Sequence, residues 1–181
     1  MNNTINISSQ NLTLAQARNC LDGNTNGYFQ IVSFYVASVS GNRPNATGLT
    51  IKFDPRLKVV NDQWGGAFNS RVYTSDGRSV TSRGRSATEG AIDGKNNIFF
   101  AATADDKPYT DDGYLYFTMV QFPADVAVGD TFPITVALED ENQNPYEFLF
   151  VDSTASAADQ TAMNTWTKTN GIINGGFTIV E

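Results

Sequence analysis

Apolar residues recur at every second position in run after run of this chain, and nearly every run is cut by turn-forming residues. A two-residue period puts alternate side chains on opposite faces of an extended strand, so such runs fold as sheets with a covered face. The stretch ATGLTIKFDPRLKVV, Ala46 to Val60, sets the pattern. Leu49, Ile51 and Phe53 share one face; Gly48, Thr50 and Lys52 share the other. Pro55 has no N–H and keeps Asp54 out of helical geometry, so the ladder ends there. Apolar spacing resumes at Leu57, Val59 and Val60. That predicts a tight corner and a new strand, Leu57 to Asn61, in the opposite sheet of a sandwich.

Other runs repeat the theme. TINIS, Thr4 to Ser8, predicts a first strand. LTLAQARNC, Leu12 to Cys20, admits a helical turn or a strand. YFQIVSFYVASV, Tyr28 to Val39, is apolar on both faces and predicts a strand well inside a sheet, covered on both sides. Ala67 to Thr74, turning at Asp76-Gly77, suggests a short hairpin within an irregular insertion over about residues 62–85. Ala87–Asp93 and Ile98–Asp105 read as strands joined through GKNN. Gly113 to Phe122 sets Leu115, Phe117, Met119 and Gln121 against Tyr114, Tyr116, Thr118 and Val120. Thr131–Glu139, Tyr146–Val151 and Gly176–Val180 add further strands. A helix is expected over about 155–169, where Ala158, Ala162 and Trp166 fall at i, i+4 and i+8; Ser153 or Ser156 caps its start and Asn170-Gly171 its end. About nine strands, with turn signals roughly every 8–12 residues, describe an all-β jelly-roll sandwich carrying one helix before the last strand. A chain of 181 residues suits one such domain, 1–181.

Charge and composition exclude several functions. The net charge is -7, which disfavours a phosphate-binding surface and nucleic-acid partners. The basic cluster of Arg71, Arg78, Arg83 and Arg85 reads as a solvated loop. No apolar run approaches the roughly 18 residues that span a bilayer, so no membrane insertion is expected. The N-terminus has no basic segment followed by an apolar core, so no signal peptide is expected, although a module excised from a secreted protein would look the same. The chain has one cysteine, Cys20, and no histidine, which removes the usual general base and any activated thiol. The carboxylate groups Asp105-Asp106, Asp111-Asp112 and Glu139-Asp140-Glu141 fall at strand ends and read as solvated turns, and no EF-hand spacing points to a calcium site. The sequons at Asn2, Asn6, Asn11 and Asn45 reflect an Asn/Thr-rich composition.

The order of motifs resembles a cohesin module, the receptor half of the cohesin–dockerin pair of cellulosomes. The resemblance rests on QIVSFYVASV, then GLTIKFDPRLKVV, AIDGKNNIFFAATADD, DDGYLYFTMVQF, DTFPITVAL and the terminal GGFTIVE. It spans nearly the whole chain. The insertion and the late helix depart from the compact type and look like the divergent, helix-bearing cohesins. What the resemblance implies is a non-catalytic module of an extracellular or cell-surface bacterial scaffoldin, monomeric when isolated, that holds a dockerin on the outer face of one sheet. It implies no cofactor on this chain, since calcium belongs to the dockerin.

Carried onto this sequence, the dockerin-binding positions are Ala46, Gly48 and Thr50 on one strand and Ala91 and Asp93 on another. A third strand contributes Phe99, Ala101 and Thr103, and a fourth Thr135, Ala137 and Glu139. Alternation in NIFFAATAD, read with Ile98, Phe100 and Ala102 inside, leaves Phe99 outside as an apolar anchor. The alternative function is a jelly-roll carbohydrate-binding module. It would present coplanar exposed aromatics; Trp64, beside Gly65-Gly66, is one candidate, whereas Trp166 is expected to pack its helix on the sandwich. A pilin-like adhesin would instead show an open edge strand.

Overall fold

The Asp54-Pro55 corner shows how local chemistry builds this fold. The computed structural model describes residues 2–24, 26–40, 43–60, 68–70, 81–84, 98–104 and 112–181. Strand β4 (Ala46–Phe53) stops at the corner, and β5 (Lys58–Val60) starts in the other sheet, as the sequence predicts. Leu57 N–H donates to the Asp54 carbonyl at 3.0 Å, and Arg56 N–H to Asp54 Oδ1 at 2.9 Å. The Arg56 guanidinium bonds the same carboxylate, reaches Asp130 and the Thr131 carbonyl, and lies 4.3 Å from the centre of the Phe132 ring. Hydrogen bonding to Asp54 holds Arg56 above its ordinary pKa. The corner is therefore fastened at both ends.

Among the described residues the strands form two sheets packed face to face. The first contains β1 (Asn2–Ile7), β3 (Gln30–Ser40), β9 (Gly113–Gln121), β5 and β12 (Ile172–Ile173), in the order β12-β1-β3-β9-β5, with β6 (Phe68–Ser70) also on β9. The second runs β2-β13-β10-β4-β8-β7, from β2 (Ser9–Thr13), β13 (Gly175–Val180) and β10 (Thr131–Val136) to β8 (Ile98–Ala104) and β7 (Thr81–Gly84). There β11 (Phe148–Val151) continues beside β4 where β10 leaves it. The ambiguous segment after Leu12 is both things in turn: the end of β2, then a short helix α1 (Leu14–Arg18), its capping box formed by Thr13 and Gln16.

The chain passes between sheets at Ser8. Its Oγ accepts the Ser33 N–H at 3.1 Å, and its carbonyl accepts the Gly176 N–H at 3.0 Å. Gly176 sits at φ 134, and a Cβ there would lie 2.1 Å from the Phe132 carbonyl oxygen. Only glycine allows β13 to approach both β10 and the crossing. Between the sheets lie Phe34, Phe53, Phe122, Phe132 and Phe150, all fully buried, with Phe122 edge-on to Phe132 and to Phe177 at 5.2 Å.

Several expectations are corrected. β3 lies inside its sheet, between β1 and β9, but only one face is covered: Val32, Phe34 and Val36 are buried, whereas Ile31 is 43% and Tyr35 37% exposed. In β9 the expected alternation breaks. Phe34 pairs with Tyr116 and Tyr35 with Tyr114, so Leu115 is an extra residue in a β-bulge and joins Thr118 and Val120 in the buried set. The expected strand Thr131–Glu139 ends at Val136, after which the Ala137 N–H makes one more bond to β4, at the Thr50 carbonyl at 2.8 Å, before the chain leaves the sheet. The expected strand Ala87–Asp93 lies outside the described residues; the strand paired with β8 is Thr81–Gly84. The hairpin expected over Ala67–Thr74 is described only at Phe68–Ser70, as β6.

The helix α2 spans Ala157–Trp166 and runs into a π-helical turn, Thr167–Gly171. Ser156 is its cap, accepting the Asp159 N–H. The predicted stripe is wrong in phase. Ala158 and Ala162 are exposed, Trp166 is half-buried, and Met163 and Thr167 are buried. The reason is what the helix covers. Asn164 Oδ1 accepts the Phe150 N–H at 2.7 Å and its Nδ2 donates to the Phe150 carbonyl at 2.9 Å. Gln160 donates to that carbonyl too and accepts the Asp152 N–H at 2.8 Å. Two side-chain amides thus stand in for a neighbouring strand along the free edge of β11.

Candidate functional site: the outer face of the seven-stranded sheet

Register decides what the outer face of the second sheet presents. On β4, Leu49, Ile51 and Phe53 point into the core and are fully buried, so Gly48, Thr50 and Lys52 stand on the outer side. Across on β8, Leu49 pairs with Ala101, Ile51 with Phe99, Gly48 with Ala102 and Thr50 with Phe100. Paired residues share a face. Phe99 and Ala101 therefore face the core, and Phe100 and Ala102 face outward.

This reverses the sequence-based assignment of Phe99 and Ala101. Both are 0% exposed, and Phe99 packs edge-on against Phe53 at 5.7 Å. In IFFAATA every residue through Ala102 is apolar, so alternation alone does not say which set faces in; pairing with β4 does. Thr103 stands across from Thr47. Ala91 and Asp93 lie outside the described residues. Thr50 is on the outer face but fully covered, its hydroxyl donating to the Glu147 carbonyl at 3.0 Å. Ala137 is covered as well. Glu139 is exposed, but it stands on the excursion between β10 and β11, bridged to Pro145. Ala46 and Thr135 remain half-exposed on the face, Thr135 opposite Lys52.

What the sheet offers is an apolar stripe across three strands. Leu149 on β11 pairs with Gly48 on β4, which pairs with Ala102 on β8. Leu149 is 40% exposed and Phe100 is half-buried. The Phe100 ring lies over Gly48: a Cβ at Gly48 would meet Phe100 atoms at 3.1 and 3.2 Å and Leu149 Cβ at 3.9 Å. Gly48 is thus the gap that lets the ring lie flat and join the leucine. Val151 and Ala46, paired and half-exposed, extend the stripe. Sequence reading missed Phe100, Leu149 and Val151. The alternation Phe148-Leu149-Phe150 carries the signal for Leu149, with two buried phenylalanines flanking an exposed residue.

The Ala137–Glu147 excursion rises beside this stripe. Asp140 shapes its tip: Oδ1 accepts the N–H groups of Asn142 and Asn144 at 2.8 and 2.9 Å, and Oδ2 accepts Asn144 Nδ2 at 2.9 Å. The Asn144 side-chain bond, with the two backbone N–H bonds, holds the Asp140 carboxyl below its ordinary pKa. Glu139, Glu141 and Glu147 are exposed around it, and Lys52 is exposed beside Thr135. The apolar stripe thus has the excursion with its carboxylates at one end, where Glu147 and Ala137 bond Thr50, and Lys52 follows two residues further along β4. Of the carboxylate clusters, Asp112 is held by Arg43 at 2.9 Å and the Ser38 N–H at 2.9 Å, while Asp105, Asp106 and Asp111 lie outside the described residues, as does Trp64. Cys20 is buried and unpaired by disulfide.

No protein-family model matches the chain, and no curated protein matches it. Solved structures do. A type III cohesin module from the cellulosomal cell-surface anchoring scaffoldin of Ruminococcus flavefaciens is 27% identical, with a TM-score of 0.74 over 99% of this chain and 88% of that one. The sixth cohesin of Acetivibrio cellulolyticus scaffoldin B, solved in complex with a Cel5 dockerin mutant, is 12% identical with a TM-score of 0.55 over 99% of each chain. A cohesin from Clostridium thermocellum, solved as a type I cohesin–dockerin complex, is 12% identical with a TM-score of 0.54 over 99% of this chain and all of that one. The last two, at such low identity, speak to the fold alone.

Proposed function

We propose that this chain, whose fold is that of a cohesin module, is a non-catalytic receptor that binds a dockerin on the outer face of its seven-stranded sheet. The observation that carries the reading is the stripe Leu149–Gly48–Phe100, an apolar, preformed surface on a sheet whose strands are paired along their length. A helix presented by a partner can lie on such a surface without reshaping it, which suits the small backbone movement of preorganised complexes. The apolar stripe supplies affinity, and the charged groups Glu139, Glu141, Glu147 and Lys52 set partner choice and association rate. The absence of any histidine in the sequence fits a role in holding rather than in proton transfer.

In this reading the module belongs to an extracellular or cell-surface bacterial scaffold, is monomeric when isolated, and carries no cofactor of its own; calcium resides on the dockerin. Calorimetry of the chain against a panel of calcium-loaded dockerins tests it. One or more should bind, Phe100→Ala and Leu149→Ala should each weaken binding by about 1–3 kcal/mol, and chelation should abolish binding while leaving the melting of this chain unchanged. A panel without a binder, or affinity indifferent to both variants, would overturn the assignment.

A further inference from the structure

The opposite sheet carries a groove on the side away from the proposed docking face. It is shallow, about 460 Å³, on the outer face of the six-stranded sheet, within the size range of small-ligand clefts. Register arranges its groups in a row across three strands: Asn6 on β1 stands across from Tyr35 on β3, and Tyr35 across from Tyr114 on β9. The bulge at Leu115 turns Tyr114 to the same side as Tyr35. Along β3, Ile31, Ser33 and Tyr35 share that face over about 13 Å at 3.3 Å per residue. Ser8 and Gln10 close the groove where the chain crosses into β2.

Its chemistry is selective. The tyrosine rings meet edge to face, centroids 5.2 Å apart at 77°, and remain 37% and 47% exposed. Gln10 Nε2 is held by the Ile31 carbonyl at 2.7 Å, leaving its Oε1 without a protein partner among the described residues. The Asn6 amide, the Ser33 hydroxyl and both tyrosine hydroxyls likewise have none among the described residues. Among the described residues no lining residue is charged, in a chain of net charge -7. Phosphate-bearing or acidic polymers are repelled by that net charge and find no cation among the described lining residues, and a cationic segment finds no carboxylate among them. An apolar helix would strand the amides and hydroxyls. The ligand that complements a neutral floor of rings with a rim of amides and hydroxyls has apolar C–H faces and a hydroxyl edge.

We infer that this groove binds an uncharged oligosaccharide chain, with Tyr35 and Tyr114 packing on sugar C–H faces and Asn6, Gln10 and Ser33 meeting sugar hydroxyls. The site is separate from the docking stripe and stands or falls independently of it. Titrating the isotope-labelled chain with cellohexaose, xylohexaose, mannohexaose and, as an anionic control, polygalacturonate, followed by NMR, tests the assignment. Neutral chains should shift amide resonances clustered at Asn6, Gln10, Ile31, Ser33 and Tyr35, and polygalacturonate should not. The double variant Tyr35→Ala/Tyr114→Ala should lose about tenfold in affinity, the size of a lost aromatic contact, with its melting temperature recorded alongside. If that variant does not fold, the shift map of the unmodified chain decides alone. No shifts with any of the neutral chains, shifts confined to other surfaces, or equal shifts with polygalacturonate would overturn the proposal.

Discussion

Phe99 and Phe100 differ by one position along β8 and by everything else that matters to a variant. Phe99 is fully buried against Phe53, so Phe99→Ala leaves a cavity and should cost about 3–5 kcal/mol of stability, read by chemical denaturation. Phe100 lies half-exposed over Gly48, so Phe100→Ala should leave the denaturation midpoint nearly in place and appear instead in dockerin affinity. If the two variants behaved alike, the register of β8 on β4 would be wrong. Gly48→Ala probes the same spot from beneath. Its new methyl would sit 3.1 Å from the Phe100 ring and tilt it away from Leu149, so affinity should fall while the fold survives. The phase of β8 is not written in its own residues, because an all-apolar run has no polar face to mark outside. It is set by Ile51, whose inward position the sequence does reveal, once pairing is known.

At the scale of elements, two additions to a plain sandwich have distinct physical roles. The helix α2 supplies hydrogen bonds to the free edge of β11, and the same strand carries Leu149 onto the apolar stripe. Asn164→Ala removes the acceptor of the Phe150 N–H, while the Phe150 carbonyl keeps its Gln160 donor, and should cost about 1–3 kcal/mol for the N–H left dry, measurable as a lowered midpoint. The helix was legible from its two capping candidates, Ser153 and Ser156, of which the second is used, but its end at Trp166 and its buried face were not. Periodicity weighted Ala158, Ala162 and Trp166, whereas the amides of Gln160 and Asn164 are what β11 requires. The Ala137–Glu147 excursion behaves differently. Its tip depends on the ionised Asp140 carboxylate, whose pKa is lowered from 3.8 by Asn144 and by the N–H groups of Asn144 and Asn142. A depressed carboxyl pKa means the bonds contribute fully above the ordinary value and are lost as pH falls through the lower folded one. The amide resonances of Asn142 and Asn144 should therefore stay fixed from neutral pH down to about pH 4 and move only below it. Movement near pH 6 would show that another group organises the tip.

For the whole molecule, the two sheets are tied where Ser8, Ser33 and Gly176 meet. Gly176→Ala places a methyl group against the Phe132 carbonyl and forces a left-handed backbone on alanine, so the melting temperature should drop sharply. Below the melting range, dockerin affinity should be unchanged, since the crossing lies away from the Leu149–Phe100 stripe. Calorimetry of that variant at low temperature checks the separation of stability from binding. The same architecture turns two outer faces in opposite directions, one with the apolar stripe and one with the tyrosine groove, so each is testable without disturbing the other.

The sequence alone determined the class of fold and the sheet-switching corner at Asp54-Pro55, because strand alternation and a missing N–H act within a few residues. It also determined that Leu49, Ile51 and Phe53 face inward, because Thr50 and Lys52 mark the other side. Only the tertiary structure decided that Phe100 rather than Phe99 looks outward, that Thr50 is roofed by Glu147, and that Leu115 slips into the core. Those outcomes rest on which strand lies alongside and in what register, and a single-residue shift exchanges every side chain between the two faces.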